Sequence, residues 1–106
     1  MYHKLLKISR IILTLVLALL TNAYSFAADK ITVAAAANLR YVLEELKQQY
    51  IKSHKDTQID IVFGASGTLT QQIVNGANFD LFLAANTKFP EEVINKGFGH
   101  GKSVVY

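Results

Sequence analysis

The 106-residue sequence contains no cysteine, which excludes disulfides, thiolate metal sites and cysteine nucleophiles together. It also excludes the acylated cysteine that tethers many exported bacterial lipoproteins, so a chain free in solution is expected. Histidine is scarce: with His3 near the N-terminus, only His54 and His100 remain, too few for a metal cluster. A long apolar run is missing too. Residues 11–20 (IILTLVLALL) are apolar except for Thr14, about half of the roughly 20 residues that a membrane span requires. The formal charge of +3 is local, because Lys4, Lys7 and Arg10 supply three of the 11 basic residues. The other 8 balance all 8 acidic residues, so residues 28–106 carry no net charge. Nucleic acid is therefore excluded as a partner, since it demands a basic face. The aromatics Tyr41, Tyr50, Phe63, Phe79, Phe82, Phe89 and Phe98 are also scattered through apolar patterns, unlike a base-stacking platform.

A basic start, a short apolar stretch and the small residues Ser25 and Ala27 flanking Phe26 form the pattern of a secretory signal peptide. The expected division is a signal peptide over 1–27, cleaved after Ala27, and a body over 28–106. Export without a lipid anchor points to the periplasm. The body has about the minimum length for a core, and a thin one, because small domains bury a lower fraction of their surface. A hydrophobic content of 51% argues against disorder.

Within the body, strand-like and helical patterns alternate. Residues 31–36 (ITVAAA) are continuously apolar, as in a strand buried on both faces. Leu39, Val42, Leu43, Leu46 and Tyr50 recur at helical spacing, predicting an amphipathic helix over 39–54 with Arg40, Glu44, Glu45, Lys47 and Lys52 outward. A second strand is expected at 59–63, then a short helix at 68–75 with Leu69 and Ile73 inward and Gly76 as its C-terminal cap. A third strand is expected at 80–84. Pro90 suits the first turn of a helix ending at Asn95, with Gly97 beyond it. Residues 103–106 read as the start of a fourth strand, so that the end at Tyr106 looks like a truncation. Repeated strand–helix–strand units predict an α/β fold with a parallel sheet and helices on both faces.

In such folds ligands sit at the carboxyl ends of strands, where helix N-termini present free N–H groups. Two polar positions fall there. Asn38 directly follows the first strand, and the turn Gly64-Ala65-Ser66-Gly67-Thr68 follows the second. The glycines permit close backbone approach, and Asn38, Ser66 and nearby amides make a ring of neutral donors suited to a small anion. No lysine or arginine lies inside either turn; Arg40 is two residues into its helix. A second reading of the same residues needs no ligand, with Asn38 as a helix N-cap and Ser66 as a turn residue.

Three strings, ITVAAAANL at 31–39, FGASGTL at 63–69 and QIVNGANFDLFLAAN at 72–86, resemble in order and spacing the periplasmic molybdate-binding proteins of ABC transporters. The resemblance runs across nearly all of residues 28–106. It implies a partial N-terminal lobe of a two-lobed, type II-like periplasmic binding protein. It further implies that the protein closes on molybdate or tungstate and delivers it to an inner-membrane ABC permease, as a monomer. The resemblance places Ser66 on the family's serine of the second loop, and Asn38 where most members carry serine and some asparagine. That substitution leaves open the preference among molybdate, tungstate and sulfate. Ala37 and Gly67 would contribute backbone donors only. Asp80 matches the family's Ala-Asp-Leu-Phe element and is expected to pair locally. Molybdenum would enter only as the bound oxyanion, with no catalytic residue, resident metal or cofactor. The family's second lobe and its further anion contacts, commonly including a tyrosine, lie beyond the point reached by Tyr106, which is not that tyrosine.

Other signals fail on spacing. A nucleophile elbow needs glycine at position 68, where Thr68 stands, so no enzyme is expected. A P-loop ending at Gly101-Lys102-Ser103 needs glycine at position 96, which is Lys96. The pairs Glu44/Glu45 and Glu91/Glu92 are adjacent on helices, so their carboxylates diverge. The alternative to a binding protein is a non-functional truncated remnant, whose exposed sheet edge would promote aggregation.

Overall fold

The computed structural model describes residues 2–23 and 29–106. Helix α1 (Tyr2–Ala23) contains the basic start and the apolar stretch. Inside that stretch the Thr14 hydroxyl donates to the carbonyls of Arg10 and Ile11, both at 2.9 Å, which satisfies it within its own helix. No described helix is long and apolar enough to cross a membrane. The expected cleavage point after Ala27 lies outside the described residues.

The rest is a three-stranded parallel sheet with its connecting helices: β1 (Asp29–Ala36), a 3-10 turn (Ala37–Leu39), α2 (Arg40–Ser53), β2 (Thr57–Gly64), α3 (Ser66–Val74), β3 (Leu81–Leu83) and α4 (Lys88–Asn95). The strand order is β2-β1-β3. Strand β1 pairs with β2 from Asp29↔Thr57 to Ala36↔Gly64, and with β3 from Val33↔Leu81 to Ala35↔Leu83. The apolar run 31–36 thus takes the central strand.

Successive residues of a strand point to opposite faces. Val33, Ala34, Ala35 and Ala36 are all buried, so both faces of β1 are covered. Topology supplies the reason. The chain steps from β1 to its neighbour β2, then back past β1 to β3. Two right-handed crossovers in opposite directions place α2 and α3 on opposite faces, and α4 packs beside α3. The core on the α3 side consists of Leu69, Ile73, Val93 and Ala84 against the alanines of β1. It is built mostly from small residues, with Leu69 its largest fully buried apolar side chain. Burial of such a leucine contributes about 1.5–3 kcal/mol.

The helix ends follow the glycines. Gly76 has φ of 102° and Gly97 of 84°, the left-handed conformation that closes a helix and that L side chains rarely adopt. Behind them Ala77 N–H donates to Gln72 at 2.9 Å, and Phe98 N–H to Val93 at 3.0 Å. Pro90 is the third residue of α4, inside the first turn, where its missing N–H has no intrahelical acceptor to lose. Asp80 is structural, but its partner is Thr32 in the central strand and not a local group as expected. Its N–H donates to the Thr32 carbonyl at 2.8 Å and its carboxylate accepts from Thr32 N–H at 2.7 Å.

Three more expectations need correction. Residues 103–106 form no strand; their tie to the fold is the Tyr106 hydroxyl, which donates to the Ala84 carbonyl at 2.7 Å. Helix α3 begins at Ser66, not at residue 68: Leu69 N–H already bonds to the Ala65 carbonyl at 3.0 Å, and the Thr70 hydroxyl donates to the Ser66 carbonyl at 2.7 Å. The apolar stripe of α2 is only partly covered: Val42 is 49% exposed and Leu46 53%. This helix lies over the edge strand β2 rather than over the centre of the sheet, so its stripe overhangs.

Candidate anion site at the carboxyl end of the sheet

In a sheet of order 2-1-3 the chain leaves β1 toward one side and passes β1 to the other on its way to β3. The crevice between the carboxyl ends of β1 and β3 is the topological switch point, where open α/β sheets bind ligands. Two similar strings end there, Ala36-Ala37-Asn38 after β1 and Ala84-Ala85-Asn86 after β3. A cleft of about 540 Å³ opens beside them, lined by Asn38, Ala85 and Asn86 at its polar end. Its remainder mixes apolar groups, Leu83, Val93 and Val105 among them, with His100, Lys102 and Ser103. That part follows the unpaired flank of β3, and Lys102 and Ser103 offer further donors there.

Asn38 sits in the middle of the 3-10 turn, exposed. It caps nothing: the N-cap positions are Ala36 for the 3-10 turn and Leu39 for α2, neither with a side-chain cap bond. The reading of Asn38 as a helix N-cap is therefore not what the fold shows, and its carboxamide makes no hydrogen bond among the described residues. Asn86 differs. Its Oδ1 accepts from Lys88 N–H at 3.1 Å, an Asx turn into α4, leaving its Nδ2 as a donor.

Ser66 is buried at the first position of α3. Its Oγ accepts from Ala85 N–H at 2.9 Å, which ties the start of α3 to the loop after β3. The hydroxyl donates to no group among the described residues, so its proton is available to a ligand. The first bond within α3 is Leu69 N–H to the Ala65 carbonyl at 3.0 Å. The N–H groups of Ser66, Gly67 and Thr68 consequently have no intrahelical acceptor. No acidic residue stands in the first turn of α3, of α2 or of the 3-10 turn, so the positive ends of these helices are not neutralised.

Asn38 lines the cleft; Ser66 reaches it only through Ala85, and Ala37 and Gly67 do not line it. Ala37 is exposed at the head of the 3-10 turn. Gly67 is the second residue of α3, where an added Cβ would meet only the Phe89 ring, at an ordinary 3.5 Å. Neither Gly64 nor Gly67 has a positive φ, so backbone strain does not require glycine at either position. The residues overlooked in the sequence are Ala85 and Asn86. The signal was present in the repeated Ala-Ala-Asn string, but its meaning depends on the strand order. Among the described residues no group of acidic, histidine or cysteine side chains could hold a metal ion.

Comparison with known proteins agrees with this arrangement. Residues 31–106 match the family of bacterial extracellular solute-binding proteins. The molybdate-binding protein ModA of Haemophilus influenzae is 34% identical over 74 residues, covering 69% of this chain and 29% of that relative. ModA of Escherichia coli is 37% identical over 67 residues, covering 63% of this chain and 26% of the relative. Among solved structures, the periplasmic molybdate-binding protein of Azotobacter vinelandii superposes with a TM-score of 0.60 at 37% identity, over 63% of this chain and 29% of that one. The chain spans less than a third of each of these relatives. With most of its length matched and the parallel sheet and its carboxyl-end loops in place, the chain belongs to the bacterial extracellular solute-binding protein family.

Proposed function

We propose that the chain supplies part of the binding site for a tetrahedral oxyanion, molybdate or tungstate, and that binding involves no chemical step. The observation that carries this reading is Ser66. Its buried hydroxyl accepts from Ala85 N–H at 2.9 Å, which holds it beside the loop that lines the cleft, and its proton donates to no group among the described residues, so it can serve a ligand that reaches it. Asn38 adds a free carboxamide, and the amides of Ala37 and Gly67 are further donors. A dianion can be held by neutral dipoles when enough of them converge and the helix ends are positive. The names of the relatives, molybdate-binding proteins in three of the cases above, support the choice of anion.

In this reading residues 1–27 are a signal peptide and residues 28–106 part of the first lobe of a periplasmic binding protein. The anion is cargo for an inner-membrane ABC permease. Calorimetric titration with molybdate, tungstate and sulfate tests it. Saturable binding of molybdate or tungstate, weakened in Asn38→Ala, supports the reading; saturable binding of none of the three overturns it.

A further inference from the structure

Arg40 breaks a local rule. It is the first residue of α2, where the positive end of the helix disfavours a cation. Glu44 lies four residues on, the spacing of a helical ion pair, yet the guanidinium does not take it. Instead its carbon lies 4.4 Å from the centroid of the Phe63 ring, a cation–π contact. The ion pairs among the described residues are Lys30–Asp60 and Lys96–Glu92, and Arg40 is in neither. Phe63 is the penultimate residue of β2 and pairs with Ala35. Its ring therefore holds the cation at the carboxyl end of the sheet, the end that carries Asn38 and the start of α3. The two loops at that end hold no carboxylate: none occurs between Asp29 and Glu44, or between Asp60 and Asp80.

We infer that Arg40 is a steering residue, a fixed cation at the rim that draws the dianion toward the donor ring without being one of its ligands. This inference rests on the oxyanion reading above. A charge that acts at a distance changes the association rate and is screened by salt, whereas a ligand contact changes the dissociation rate.

The test is stopped-flow mixing of the full chain with molybdate, followed by tyrosine fluorescence because the sequence has no tryptophan. Rates are read at low and high ionic strength, where screening lengths are about 30 Å and 3 Å. The expected result for Arg40→Gln is association slowed about fivefold at low salt, the order expected of one unit charge acting on a dianion in water. Its dissociation rate is unchanged and its association rate meets that of the parent at high salt. Arg40→Lys keeps the parent rate, which separates charge from loss of the stacked guanidinium. The inference is overturned if Arg40→Gln associates at the parent rate with the parent salt dependence, or if it alters dissociation alone. Absence of saturable molybdate binding by the parent in calorimetry overturns the oxyanion reading itself, and this inference with it.

Discussion

Replacing Ser66 with alanine probes the site at its best-defined atom. The substitution removes the Oγ that accepts from Ala85 N–H at 2.9 Å. The bond from Thr70 to the Ser66 carbonyl involves the backbone of position 66 and survives. Ala85 is exposed, so its freed N–H can turn to water rather than remain buried without a partner. The stability cost should therefore be that of one ordinary hydrogen bond, about 1 kcal/mol. For a domain of this size, that is a fall in Tm of about 4–8 °C. The binding cost is larger. A hydrogen bond to a charged group contributes about 1.5–3 kcal/mol, so Kd for the oxyanion should rise about 10- to 100-fold. Paired thermal melts and calorimetric titrations of the parent and Ser66→Ala separate the two effects. Parent affinity in the variant would refute the assignment of Ser66 as a donor. A stability loss well above 3 kcal/mol would instead make Ser66 a structural keystone whose hydroxyl serves the fold.

Other expectations follow from the same geometry. Gly67→Ala should fold as well as the parent or better, by up to about 1 kcal/mol, because an added Cβ meets only Phe89 at 3.5 Å; if its amide approaches the anion, calorimetry should show weakened binding in a protein with an unchanged melt. Asp80→Ala should lower stability by about 1 kcal/mol in chemical denaturation, since it frees Thr32 N–H from a 2.7 Å bond, while leaving affinity for the anion near the parent value. Asp60 has its carboxyl held below the usual carboxylate range by the hydrogen bonds from Gln58 and Lys30. A depressed pKa gives a contribution present above the unfolded-state value and lost as pH falls through the folded-state value. Asp60→Asn should thus flatten the acid limb of the stability profile below about pH 4, which pH-dependent melts would show.

The sequence revealed the elements whose signals are local. An unbroken apolar run at 31–36 announces a strand covered on both faces, and it became the central strand with Val33 to Ala36 buried. Gly76 and Gly97 mark helix ends because only their backbones take the left-handed conformation without strain. What depended on tertiary arrangement stayed hidden. The apolar stripe of α2 looks like a buried face, yet its coverage depends on which strand lies beneath it, and an edge strand leaves Leu46 53% exposed. Strand propensity at Val104 and Val105 produced no strand, because extended backbone becomes a strand only with a partner in register, and none is made there. The site was half legible. Asn38 and Ser66 stand out as polar residues directly after apolar runs, whereas the role of Ala85 lies in one N–H and in the step that brings β3 beside β1.

The central claim is that neutral donors at the carboxyl end of this sheet hold a tetrahedral oxyanion. Its most direct test is the amide spectrum of the 15N-labelled chain during titration with molybdate. The largest shifts are expected at Ala37, Asn38, Ser66 and Gly67, saturating together with one Kd. Saturating shifts centred elsewhere, or a spectrum unchanged at excess molybdate, would contradict it.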